Sequence, residues 1–156
     1  GIVNALPLLG DEPFLLLNGD VWIDYSLDRL VQLAQQRGLS KEGCPLAHLV
    51  MVTNPEHNVT GDFRLDSDSL STSIPSASTC GSALLSMEAG ESLTYSGVGL
   101  YCPSLFKDVD SGRRPLAPLL RAWIKEGKVA GEKYSGYWLD VGTPERLRDL
   151  NDRLQP

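Results

Sequence analysis

The chain has 156 residues, of which 42% are hydrophobic and 22% charged, as expected for one globular domain with a real core. Its net charge of -6 and pI near 4.8 argue against nucleic acid or an anionic membrane as partners, because phosphates are repelled at long range. A phosphate ligand therefore needs local binding helped by a cation. No apolar run approaches the ~20 residues that span a bilayer and no leader opens the chain, so we expect a cytoplasmic protein.

The N-terminal half predicts a strand, a helix and a second strand in that order. Residues 1–10 indicate one or two helical turns closed by proline and glycine. Residues 14–18 are a continuous apolar run typical of a strand buried on both faces. Ser26 is a good N-cap for a helix of apolar spacing, and residues 46–52 predict the second strand. This order indicates a parallel α/β sheet.

The rest of the chain predicts further strands and helices around one polar segment. Residues 61–65 alternate like an exposed strand, and the serine-rich start of residues 66–90 predicts a flexible loop. Residues 93–101 predict a strand with two glycines, where a ligand or backbone approaches closely. Residues 115–127 have helical apolar spacing, residues 128–139 read as extended structure, and Thr143-Pro144 predicts the start of a last helix.

Two aspartates stand out because each directly follows an apolar strand: Asp20 and Asp140. In open α/β sheets the ligand crevice lies beyond the carboxyl ends of strands. If the two acids converge, they form a magnesium site, since Mg²⁺ is usually held by one or two carboxylates, with waters and substrate phosphates completing its shell. The alternative is that each aspartate only ends a strand or caps a turn, which is a common use of this residue.

Other residue types carry weaker signals. The cysteines Cys44, Cys80 and Cys102 are odd in number and widely spaced, without a CxxC pair, so we expect inert thiols. Trp138 is expected to pack in a strand rather than to stack on a ligand. His57 lies in a loop without a second histidine or cysteine nearby, which argues against zinc. The sequence contains neither a G-x-S-x-G elbow nor a P-loop.

Four segments occur in the order seen in sugar nucleotidyltransferases, which the chain resembles over nearly its whole length outside the serine-rich stretch. Within that family the resemblance is closest to the uridylyltransferases of bacterial cell-wall recycling. The segments are residues 17–22 (LNGDVW), residues 54–57 (NPEH) with 61–63 (GDF), residues 96–101 (SGVGLY) and residues 138–147 (WLDVGTPERL).

The resemblance implies a Rossmann-like, mostly parallel mixed sheet flanked by helices, with residues 1–156 as the C-terminal two-thirds of a single nucleotidyltransferase domain. It also implies that Asp20 and Asp140 are catalytic and hold Mg²⁺. The remaining site residues that it implies are Asn18 and Gly19 beside the nucleotide and sugar phosphates, Gly61 against the sugar, Ser96 and Gly97 on the pocket floor, Asn54 and His57 facing the amino-sugar, and Gly1 near the base.

The implied reaction is attack of a sugar 1-phosphate oxygen on the α-phosphorus of UTP or another nucleoside triphosphate, with release of pyrophosphate. The expected sugar is N-acetylmuramate 1-phosphate, and thymidylyl or guanylyl transfer to a hexose 1-phosphate is the alternative. No general base is needed, because the attacking phosphate oxygen is already ionised. Positioning and charge neutralisation by Mg²⁺ would carry most of the catalysis.

Two departures from the family pattern qualify this expectation. The family begins with a strand and a glycine-rich loop bearing an arginine and a lysine for the triphosphate, and these are missing here, so the chain alone is expected to be impaired. A Glu-Lys pair that many members carry after the strand matching residues 61–65 is replaced by the serine-rich stretch, as in the muramate-type branch. This leaves the sugar phosphate without a lysine partner.

Two other classes of function stay open. A metal-dependent glycosyltransferase usually carries an Asp-x-Asp signature, whereas the acid nearest to Asp20 is Asp24, four residues on. A non-catalytic module that binds sugar nucleotides is favoured by the missing phosphate loop, but such a module needs no paired metal ligands at residues 20 and 140.

Overall fold

The computed structural model of the chain describes residues 1–37, 44–65 and 83–155. These ranges form a mixed α/β structure. The helices are α1 (Ile2–Leu9), α2 (Asp28–Arg37), α3 (Leu116–Lys125) and α4 (Pro144–Leu154), with short 3-10 turns at Glu56–Asn58 and Pro103–Phe106. The strands are β1 (Phe14–Leu17), β2 (Val21–Ile23), β3 (Ala47–Val52), β4 (Phe63–Leu65), β5 (Ala83–Ser86), β6 (Glu91–Tyr101), β7 (Val129–Tyr134) and β8 (Trp138–Asp140).

A six-stranded mixed sheet in the order β1-β6-β3-β7-β5-β4 forms the centre of the described part. Strands β3 and β7 are parallel neighbours, whereas β6 is antiparallel to β1, β3 and β4. Because β5 is antiparallel to both β4 and β7, strands β1, β3, β4 and β7 share one direction. The predicted mixed α/β fold is confirmed, but the expected mostly parallel pairing is not seen among the described strands, since β3 and β7 form the one parallel pair.

Strand β3 runs through the core, and its side chains alternate between the two faces of the sheet. All six of its residues are buried. Leu49 and Met51 pack in one cluster with Leu120 and Trp123 of α3, whereas Val50 packs on the other face, where α2 contributes its own apolar residues. This is why residues 46–52 are apolar without interruption, since a strand covered on both faces needs no polar side.

Strand β1 forms where the sequence predicted it, but it lies at an edge of the described sheet. It pairs with β6, and Phe14 is buried against Tyr101 and Phe106. Leu17 is 47% exposed. The expectation that this strand is buried on both faces is therefore wrong, because within β1 Phe14 is buried and Leu17 is exposed.

Two expectations for the middle of the chain are also corrected. Strand β4 is not simply an exposed strand, because Phe63 is 3% exposed and belongs to the core. The flexible loop predicted for residues 66–90 falls largely outside the described residues. The prediction is wrong for the later residues of this range, because Ala83–Ser86 forms β5. Leu85 of this strand packs in the same cluster as Phe63.

The helix boundaries follow local capping chemistry. The Thr143 hydroxyl accepts a hydrogen bond from the Arg146 backbone N–H, and Pro144 occupies the first turn of α4, as the sequence predicted. Helix α1 continues past its internal Pro7 and ends before Gly10, which has a φ of 77°. Among the helices of the described ranges, none has the length and apolar character that crossing a membrane requires.

A buried polar cluster lies between α2 and the sheet. The Glu132 carboxylate accepts hydrogen bonds from the Tyr25 hydroxyl and from Arg29 Nη2, the latter at 2.6 Å. His48 is 1% exposed, and its Nε2 lies 3.5 Å from Glu132 Oε1. Burial acts to raise the pKa of Glu132, but the nearby His48 ring, the hydrogen bond from Tyr25 and the charge of Arg29 outweigh it and lower that pKa.

Candidate functional site

A two-stranded ribbon, formed by β2 and β8, brings Asp20 and Asp140 together. Val21 lies opposite Asp140, and the Val141 N–H donates to the Asp20 carbonyl oxygen at 2.8 Å. A Cβ built on Gly142 would lie 2.9 Å from Asp140 Oδ1 and 3.8 Å from Asp20 Oδ2. The two carboxylates therefore approach the same point, and a side chain at position 142 would crowd it. The two aspartates are thus close to each other, as a shared cation site would require.

The Asp140 carboxylate is held by three groups of different chemistry. Its Oδ1 accepts a hydrogen bond from the Gly142 N–H at 2.8 Å, and its Oδ2 accepts one from Arg146 Nη1 at 3.0 Å. His57 Nε2 lies 3.6 Å from the same Oδ2. The Asp140 and Arg146 side chains keep 30% and 28% exposure, so this corner of the molecule is open to solvent.

A pocket of about 390 Å³ opens beside this carboxylate. Its walls come from the segment after β3, from the turn between β7 and β8, and from the first turn of α4. The described lining residues include His57, Tyr134, Tyr137, Trp138 and Arg146. A pocket of this size accommodates a small polar ligand, since ligand sites commonly occupy about 300–1,000 Å³.

The aromatic residues of the pocket wall are fixed by contacts behind them. The Trp138 indole N–H donates to the Ser96 carbonyl oxygen at 2.9 Å, in line with the expectation that this tryptophan packs within a strand. Tyr137 contacts Trp22, and the Arg153 guanidinium lies 3.7 Å from its ring centre. Tyr134 donates its hydroxyl to Asp24, and this hydrogen bond raises the pKa of Tyr134 above its ordinary value of 10.

The predicted phosphate-side residues lie around the end of β1. The Asn18 backbone N–H donates to the Gly97 carbonyl, and a Cβ on Gly97 would lie 2.7 Å from Asn18 Nδ2. Gly97 has a φ of 85°, so the close approach of these two segments requires glycine there. Asn18 lines a second pocket of about 290 Å³ together with Asp62, whereas a Cβ on Gly19 would meet no atom within 4 Å.

Asn54 and Gly61, predicted to face the sugar, hold their own loop in place. The Asn54 amide donates to the carbonyls of Val59 and Ser92. Gly61 has a φ of 66°, and a Cβ there would lie 2.6 Å from Ser92 Oγ and 2.8 Å from the Leu93 carbonyl oxygen. Packing within the protein explains both residues, and neither is among the described residues that line the pocket beside Asp140. A sugar contact for either one stays a prediction.

Two other predicted site residues lie apart from the acids. Ser96 has no exposed surface, so the expectation that it lines a pocket floor is wrong. Its hydroxyl accepts from the Val98 N–H, and its carbonyl supports Trp138 from behind. Gly1 precedes α1 and lines a third pocket with Arg113 and Arg114. Its predicted place near a base stays a prediction.

Sequence reasoning assigned no role to Arg146 or Tyr137, which the structure places in the pocket. A signal for Arg146 was present, because an N-cap at Thr143 puts residue 146 at the third helical position, in the first turn of α4. Tyr137 carried no comparable signal. In the part of the chain that the structure describes, no cluster of three or more histidine, cysteine or acidic residues is arranged for a metal ion. A cation at this site would rest on two carboxylates.

No family model matches the chain. The sequence is 41% identical over 150 residues to N-acetylmuramate alpha-1-phosphate uridylyltransferase from Neisseria meningitidis serogroup B, covering 96% of this chain and 58% of that relative. The relative of the same name from Caulobacter vibrioides is 28% identical over 157 residues, covering 99% of this chain and 60% of its own length. The chain thus spans about three-fifths of these curated relatives.

The fold agrees with the sequence comparison. A solved UDP-glucose pyrophosphorylase in complex with UDP-glucose superposes on 97% of this chain with a TM-score of 0.65, at 15% identity, and 59% of its own chain is matched. At this identity the likeness concerns the fold alone. The predicted resemblance is confirmed: this chain is similar over nearly its whole length to sugar nucleotidyltransferases and carries a large part of their fold.

Proposed function

We propose that this chain is part of an Mg²⁺-dependent enzyme that transfers UMP from UTP to a sugar 1-phosphate and releases pyrophosphate. The sugar 1-phosphate that we propose as the main acceptor is N-acetylmuramate 1-phosphate. The observation that carries this proposal is the meeting of Asp20 and Asp140 beside Gly142, next to an open pocket. Its support is the 41% identity to the Neisseria uridylyltransferase. Because only part of that relative's length is matched, the activity is a proposal for the whole protein.

The donor set at this site fits a hard divalent cation. Asp20 and Asp140 offer carboxylate oxygens, and Mg²⁺ is commonly bound through one or two such groups, with substrate phosphates and water as further ligands. When bound, the ion would neutralise phosphate charge, which is the main obstacle to bringing two anionic substrates together. The chain cannot supply this charge in bulk, since its own net charge is -6.

The chain's own residues would contribute positioning rather than covalent chemistry. In the proposed step an oxygen of the sugar 1-phosphate forms a bond to the α-phosphorus of UTP while the bond to the pyrophosphate oxygen breaks. The nucleophile is already ionised, so the site needs no base. Gly142 and Arg146 fix the orientation of the Asp140 carboxylate, and the Trp138–Ser96 hydrogen bond fixes the strand that carries it. Holding the two reactants in line lowers the activation free energy of such reactions by a large part.

The choice of UTP and of the muramate sugar is supported only by the names of the two relatives. A role in peptidoglycan recycling and a cytoplasmic setting belong to the same proposal. Thymidylyl or guanylyl transfer to a hexose 1-phosphate would use the same pair of acids. A module that binds a sugar nucleotide without turning it over is the non-catalytic alternative, and turnover separates it from the enzyme.

The test is pyrophosphate release by the full-length protein with UTP, dTTP or GTP and a panel of sugar 1-phosphates, with and without Mg²⁺. We expect turnover with UTP and N-acetylmuramate 1-phosphate that requires Mg²⁺. Asp20→Ala should lower this turnover by at least about a hundredfold, because charge stabilisation at the reacting phosphates is lost. Asp152→Ala, on an exposed residue of α4, is the matched control and should behave as the wild type. Unchanged turnover in Asp20→Ala with circular dichroism like that of the wild type would remove Asp20 from the mechanism.

A further inference from the structure

The proposed acceptor brings a second phosphate to a site that is rich in negative charge. The chain has a net charge of -6, Asp140 lines the pocket, and the Asp20 carboxylate approaches Asp140 beside Gly142. A phosphate placed beside two carboxylates needs positive partners of its own, since a buried or half-buried anion is costly without them. The basic side chains near this corner therefore decide how the acceptor is held.

Two basic side chains are found among the described residues that line the pocket, Arg146 and His57. Both converge on one oxygen, because Arg146 Nη1 lies 3.0 Å and His57 Nε2 lies 3.6 Å from Asp140 Oδ2. Within the described ranges Arg146 gives only Nη1 to this contact. A guanidinium carries five N–H donors in a planar fork, so the remaining donors of Arg146 are available to a ligand in the pocket that it lines.

The position of Arg146 is set by the start of α4 rather than by chance. Its backbone N–H is bonded to the Thr143 hydroxyl, and Pro144 fixes the first turn. The side chain keeps 28% of its surface exposed, so it is anchored at its base and open at its head. By contrast, Arg148 in the same helix is 67% exposed and pairs with Glu145 at 3.2 Å. The two arginines thus share a helix but not an environment.

We propose that Arg146 binds the 1-phosphate of the acceptor sugar, with the His57 ring N–H as a second donor. This inference rests on the proposed function. The phosphate is favoured over other anionic groups because both donors meet at the carboxylate where substrate phosphates would complete the shell of a bound cation. A carboxylate on an acidic sugar has similar hydrogen-bonding chemistry, and the experiment separates it from the phosphate.

The test compares Arg146→Gln, Arg146→Lys and the control Arg148→Gln in the full-length protein. Arg146→Gln should raise the KM for N-acetylmuramate 1-phosphate at least about tenfold and leave the KM for UTP unchanged, because a charge-assisted hydrogen bond is lost. Arg146→Lys should restore part of the loss, since lysine keeps the charge but not the fork. Arg148→Gln should match the wild type in every parameter.

A second arm identifies which anionic group is bound. N-acetylglucosamine 1-phosphate carries the phosphate without the lactyl carboxylate. Arg146→Gln should therefore raise the KM for this sugar and the KM for N-acetylmuramate 1-phosphate by the same factor. A loss confined to the muramate sugar would assign Arg146 to its carboxylate and overturn the proposal. A fall in kcat with both KM values unchanged would also overturn it, because Arg146 would then act only by holding Asp140.

Binding measurements separate this inference from the proposed function. If the wild-type protein releases no pyrophosphate with any substrate pair, the proposed function fails. Calorimetric binding of N-acetylmuramate 1-phosphate, with free N-acetylmuramate for comparison, then decides the inference. A wild-type affinity for the phosphorylated sugar that falls at least about tenfold in Arg146→Gln supports it. Equal affinities of the two proteins, or no binding by the wild type, overturn it.

Discussion

Replacing Gly61 by alanine tests whether this glycine is required by the fold or only by a ligand. Its φ of 66° is a conformation that L side chains rarely adopt. The added Cβ would also lie 2.6 Å from Ser92 Oγ and 2.8 Å from the Leu93 carbonyl oxygen, which belongs to the backbone of β6 and cannot turn away. Strain and overlap therefore act together at this position.

The expected loss can be divided with a matched control. Gly127 has nearly the same φ, 69°, but a Cβ there would meet no atom within 4 Å. Gly127→Ala should lower the free energy of unfolding by about 1 kcal/mol, the cost of the left-handed conformation alone. Gly61→Ala adds overpacking of about 1–3 kcal/mol and should cost about 2–4 kcal/mol in total.

The measurement is urea unfolding of the full-length protein and of both variants, followed by circular dichroism without any ligand. The difference between the two variants is the informative quantity, because the conformational cost cancels in it. Equal losses in Gly61→Ala and Gly127→Ala would refute the reasoning, since the atoms around Gly61 would then be free to move away. In that case the fold would not require glycine at position 61, and a contact with the sugar would be the remaining explanation for it.

Two further predictions concern groups behind the pocket. Trp138→Phe should lower the free energy of unfolding by about 1–3 kcal/mol, because the Ser96 carbonyl loses the indole N–H that donates to it. Trp22→Phe is the control and should cost less, since no side-chain hydrogen bond is described for that ring. Equal losses of the two variants in urea unfolding would contradict this prediction. The lowered pKa of Glu132 means that this carboxylate stabilises the folded state above its ordinary pKa of 4.5 and that the contribution is lost as the pH falls through and below that value. The stability difference between the wild type and Glu132→Gln should therefore shrink on acidification, and a difference independent of pH would show that ionised Glu132 adds nothing.

The sequence by itself determined most of the secondary structure. The apolar run at β3, the capped start of α4 at Thr143 and the long strand β6 formed as predicted. These features are local, because side-chain periodicity and capping depend on residues within a few positions of one another. The sequence placed Asp20 and Asp140 after apolar strands but left their meeting conditional, and the antiparallel pairing of β2 with β8 brings the two residues together.

Only the tertiary structure decided which neighbours each site residue has. It buries Ser96 completely, leaves Leu17 half exposed and places Arg146 and His57 on the same oxygen of Asp140. Local patterns do not encode these facts, because Leu17 and Ser96 belong to strands β1 and β6, which pair only in the folded sheet, and His57 is far from Asp140 in the chain. The sequence therefore specified the acids, whereas the charge environment that surrounds them is a property of the folded chain.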